Sequence, residues 1–73
     1  MYNENEIKAL LLIEDALMLK DWDSESDVIN YVNAKLPEKI VDVKVLGELI
    51  AMVSRQLKHN YPIRCFIEEC KEV

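Results

Sequence analysis

A chain of 73 residues with 51% hydrophobic and 32% charged side chains makes one folded domain and is too apolar for a disordered tail. A domain this small buries only about 60% of its unfolded surface, and one glycine with two prolines leaves few of the tight turns an all-β fold needs. The net charge of −5 is lopsided. Residues 1–30 carry eight acids against Lys8 and Lys20, while residues 31–73 carry seven bases against six acids. That disfavours an ordinary basic-patch nucleic-acid binder and an anionic membrane, and suits a basic protein surface.

Residues 1–5 are polar and expected to fray, with Asn3 or Asn5 as candidate helix cap. From Glu6 to Lys20 the apolar residues recur at about 100° per position, the spacing of a helix. Leu10, Leu17, Ile13, Ala9, Ala16, Leu12 and Leu19 fill half its circumference, wider than the usual stripe of roughly 100°. The small pair Ala9 and Ala16 would let another helix approach closely. Ile7, Leu11 and Met18 form a second, narrower strip on the opposite side. Two readings of that strip stay open: a helix covered on both sides by its neighbours, or a seam for a second copy or a partner.

Residues 21–27, D-W-D-S-E-S-D, end this helix and start the next. Ser24 with Asp27 three residues later resembles a capping box, and acids in a first turn complement the helix dipole. Asp21, Trp22 and Asp23 are not needed for that. The acidic spacing is also that of half a calcium-binding EF-hand loop, but Ser26 stands where glycine must turn the loop and Val32 where a bidentate acid must close it. A second helix is expected from Glu25 to Lys35 or Leu36, with Val28, Ile29, Val32 and Leu36 inward, Tyr31 marginal, and Asn30 and Asn33 outward. Pro37 stops it.

Residues 38–45 are ambiguous, because Ile40, Val41, Val43 and Val45 suit a short strand while Asp42 suits a helix N-cap. A third helix over 42–59 is strongly amphipathic. Val45, Leu46, Leu49, Ile50, Met52, Val53 and Leu57 share its apolar face, and Lys44, Glu48, Ser54, Arg55 and Lys58 lie opposite, with Gly47 on the solvent side. After the break at His59-Asn60-Tyr61-Pro62, Ile63, Phe66, Ile67, Cys70 and Val73 mark a fourth helix over 62–72. The expected fold is all-α, a single helical domain over 1–73 built as a compact bundle of about four helices. The alternative is α+β, with a short hairpin from 39–45 and 62–68.

No catalytic machinery stands out. His59, the one histidine, sits in a polar helix end, and Cys65 and Cys70 are only five residues apart, which makes no disulfide framework. Cys70 reads as a small buried hydrophobe and Cys65 as an exposed thiol beside Arg64. Adjacent acids such as Glu14/Asp15 or Glu68/Glu69 diverge by about 100° on a helix and make no dyad, so they read as solvated faces. No metal site, phosphate loop or cofactor motif is expected, and the chain does not read as an enzyme. The N-terminus lacks a signal-peptide pattern and the apolar run is broken by Glu14-Asp15, so a cytoplasmic location is expected.

These features favour a small regulatory interaction protein that binds and inhibits a larger partner. That partner presents a basic surface, for instance a nucleic-acid-binding protein, and the acids stand where phosphates would lie. A phage or mobile-element origin fits the size and charge. The expected partner-binding residues are Asp21, Trp22, Asp23, Glu25 and Asp27, and Ile7, Leu11 and Met18 are the expected seam of a homodimer. Two alternatives stand beside this: a helix-turn-helix-like DNA-binding regulator using the basic face of helix 42–59 (Lys44, Arg55 and Lys58), and a structural subunit of an assembly.

Overall fold

Four helices follow one another in the computed structural model, which describes the backbone of residues 2–72 and the side chains of residues 2–69. They are α1 (Glu4–Leu19), α2 (Glu25–Lys35), α3 (Val43–Lys58) and α4 (Ile63–Glu72). No strand occurs among the described residues. The hairpin alternative is therefore wrong, since most of 43–45 and of 62–68 is helical. Residues 39–41 lie between helices α2 and α3, and one side chain pairs with them. The Asn33 amide accepts from the Ile40 N–H at 3.0 Å and donates to the Ile40 carbonyl at 3.2 Å, as a neighbouring strand's peptide would. Asn33, expected to face outward, is half-buried for that reason.

Each helix boundary has a local cause. α1 begins two residues before its apolar period because Asn3 and Glu6 form a capping box: Glu6 N–H donates to Asn3 Oδ1 at 2.8 Å and Asn3 N–H to Glu6 Oε1 at 2.9 Å. Asn3 to Asn5, expected to fray, are thus the cap and first turn. α2 has half of the expected box. Ser24 Oγ accepts from the Asp27 N–H at 3.3 Å, and the Ser24 N–H receives no answering bond from the Asp27 carboxylate, which is one carbon shorter than glutamate. Asp42 caps α3 through the Lys44 N–H at 3.0 Å. At the other end of α3 the Tyr61 N–H donates to the Gln56 carbonyl and the Asn60 N–H to the Leu57 carbonyl. Asn60 sits at φ 56°, so this is a Schellman cap with asparagine in the left-handed position that glycine usually takes.

α1 and α3 each pack against all three other helices, whereas α2 and α4 do not pack against one another. Ala9, Leu10, Ile13 and Ala16 of α1 are buried, and they meet Val28, Ile29 and Val32 from α2, Leu46, Leu49, Ile50 and Val53 from α3, and Ile63 and Ile67 from α4. The two buried alanines lie where the wide apolar arc predicts close approach. Leu19 does not join them; it is 65% exposed, because α1 ends there and the chain turns away. The side chain of Cys70, expected to be buried, lies outside the described residues, as does Val73.

Gly47, expected on the solvent side of α3, is half-buried, and a Cβ there would meet Glu25 Oε1 at 3.3 Å. That oxygen ends a flexible, exposed side chain, so it can move aside. Gly47→Ala is therefore expected to raise stability by about 0.5–1 kcal/mol through helix propensity, read as a higher urea midpoint. A lower midpoint would mean that Glu25 is pinned in place.

Candidate functional site

The α1–α2 junction has no glycine with which to cap α1. Lys20, at the C-cap, is in extended conformation and the last turn holds no base, so the closing carbonyls of the helix lack their usual partners. Trp22 supplies one. Its indole N–H donates to the Ala16 carbonyl at 2.7 Å, which folds the aromatic ring back across the helix end. On one side the ring meets Tyr31 of α2, with centroids 5.3 Å apart and planes tilted by 59°. The Lys20 ammonium lies over the indole, 4.5 Å from its centroid. Trp22 is half-buried and packed against the core. It is a rigid peripheral core residue that leaves part of its ring at the surface.

Beside it runs an open groove of about 320 Å³. Val28 and Ile50, both buried, form its base together with half-buried Leu17, and Trp22 walls it. Asp21, Asp23 and Glu25 are exposed at its rim. Asp27 is also exposed but is not part of the lining. The structure therefore brings Asp21, Trp22, Asp23 and Glu25 to one groove and leaves Asp27, two residues further along α2, outside its lining. Among the described residues none of these carboxylates is in an ion pair; the pair that does occur is Lys8 with Glu4 at 3.8 Å. Glu25 and Asp27 complement the N-terminus of α2. Among the described residues Asp21 and Asp23 make no hydrogen bond or ion pair.

The strip on α1 divides. Ile7 packs against the core, Leu11 is 38% exposed and Met18 71% exposed. Lys44, Arg55 and Lys58 are all exposed on α3, with Glu48 among them.

Glu14 is the residue that periodicity misreads. Expected on a solvated face, it is half-buried, and its Oε2 accepts from the Ile63 N–H at 2.8 Å. A carboxylate from the middle of α1 thus caps the first turn of α4, next to a proline that has no N–H of its own. No local pattern points to a contact across 49 residues.

A larger hollow of about 660 Å³ lies between the start of α1 and the 37–40 loop. Glu4, Lys8, Glu38 and Lys39 balance one another in its lining, so it favours no charged ligand. Among the described residues no group of His, Cys, Asp and Glu is placed to hold a metal ion, and no helix is long and apolar enough to cross a membrane. His59 ends α3 as its C-cap, and Cys65 is an exposed free thiol. The chain matches no family model, no curated protein and no solved structure.

Proposed function

We propose that this chain is a small acidic interaction protein that occupies the basic surface of a larger protein and so keeps that surface from its phosphate-bearing ligands. The observation that carries this reading is the pair Asp21 and Asp23, two exposed carboxylates without ion pair or hydrogen bond among the described residues, set on either side of a fixed tryptophan. Carboxylates that serve folding are commonly bonded or set in a helix's first turn, as Glu25 and Asp27 are. Asp21 and Asp23 are outside that turn and unbonded among the described residues, and unpaired charge around an aromatic anchor is what a complementary basic surface recognises. Self-association through Leu11 and Met18 is no part of the proposal.

The test replaces Asp21 and Asp23 together by asparagine. Because neither makes a hydrogen bond or ion pair among the described residues, stability should stay within about 0.5 kcal/mol of the parent. Recovery of a basic protein from a lysate of the source cell should fall about tenfold, and the loss should shrink as salt is raised. If parent and variant recover the same proteins in the same amounts, the reading is wrong.

A further inference from the structure

We infer that the groove walled by Trp22 receives an arginine side chain of the basic protein partner, and that Lys20 occupies the place of its charge in the free protein. This rests on the reading just given and specifies the recognition event. Lys20 has Asp21 and Asp23 as close neighbours in the chain, yet among the described residues it makes no ion pair. Its ammonium lies over the indole instead, 4.5 Å from the centroid. The ring face therefore already accommodates a cation. Lys20 is exposed, and among the described residues its ammonium is held by this contact alone, so it can swing away.

An arginine suits the vacated place better than the lysine does. Its planar guanidinium stacks on an indole and presents a fork of donors that a carboxylate accepts in pairs, whereas an ammonium is a compact, strongly hydrated point charge. Asp21, Asp23 and Glu25 stand at the rim to accept those donors. The arginine's methylenes would lie on Leu17, Val28 and Ile50 at the base, as long cationic side chains do on apolar surface. An anionic occupant would meet three carboxylates.

Trp22 is the only tryptophan in the chain, so its fluorescence reports on the groove directly. The probe is a short peptide carrying two arginines, compared with the same peptide carrying citrulline, which has nearly the same shape and no charge. At physiological salt the arginine peptide should change the Trp22 emission saturably and the citrulline peptide should not. Lys20→Met should lower the half-saturating concentration about threefold, by removing the competing cation. Lys35→Met is the control. It removes the same charge from a lysine that covers the neighbouring Tyr31 ring at 5.2 Å, and it should shift the midpoint much less.

The inference is overturned by a parent chain that shows no saturable response, by equal responses to both peptides, or by Lys20→Met binding no more tightly than Lys35→Met. If the peptide fails while protein capture still depends on Asp21 and Asp23, the arginine groove is wrong and the broader function stands. If capture does not depend on those aspartates, the broader function is wrong whatever the peptide does.

Discussion

Trp22→Ala should lower the stability of the fold by about 3 kcal/mol, near the lower end for loss of a large aromatic because the indole is half-buried and not fully enclosed. Three contacts go together: the packing of the ring against Tyr31, its packing against the core, and the bond to the Ala16 carbonyl. In a domain of 73 residues, whose whole stability is on the order of 5 kcal/mol, the melting temperature should fall on the order of 15 °C. Thermal denaturation followed by far-UV circular dichroism measures it. Trp22→Phe keeps the ring and removes the donor, and should cost about 1 kcal/mol. An alanine variant that melts within a few degrees of the parent would show that the indole is a surface appendage.

The second large effect belongs to Glu14. Alanine there leaves the N–H of buried Ile63 without its acceptor and takes a negative charge from the start of α4. The sum should be about 2 kcal/mol, one part being a lost cap and the other a lost dipole interaction. Glu14→Gln retains an acceptor oxygen without the charge and should cost about half as much. The damage should also be local. Amide hydrogen exchange at Ile63 to Ile67 should quicken by more than it does in α3. Equal quickening in both helices would mean that α4 does not open on its own.

The two predictions mark where sequence reasoning works and where it stops. All four helices are legible because burial imposes a 3.6-residue period, and because Ser24, Pro37 and Asp42 carry boundary signals in their own side chains. Ala9 and Ala16 are legible for the same reason: only small residues leave space at the centre of an apolar arc. Trp22 stands out by rarity and setting, but its bond to Ala16 does not, since that depends on how the 20–24 turn closes. Glu14 and Asn33 are misread outright. Both look like solvent-facing polar residues by period, yet each satisfies backbone groups that lie outside its own helix. Periodicity sees which face is apolar; it is blind to a polar side chain whose partner lies elsewhere in the chain. Leu19 fails in the opposite sense, because a period carries on past the residue where the helix has run out of neighbours.

The link from Glu14 to Ile63 also orders events in time. The caps at Asn3, Ser24 and Asp42, the Trp22 bond to Ala16 and the Asn33 pairing with Ile40 all join residues no more than seven apart. Such contacts close at little entropic cost and can be in place early. Joining Glu14 to Ile63 closes a loop of 49 residues, which is costlier and must wait until α1 and α4 are both formed. During synthesis α1, α2 and α3 emerge first and can assemble around the buried faces of α1 and α3, with α4 added as the final piece. An interaction made that late is absent from the folding transition state. Its removal should leave the refolding rate nearly unchanged and appear almost wholly as faster unfolding.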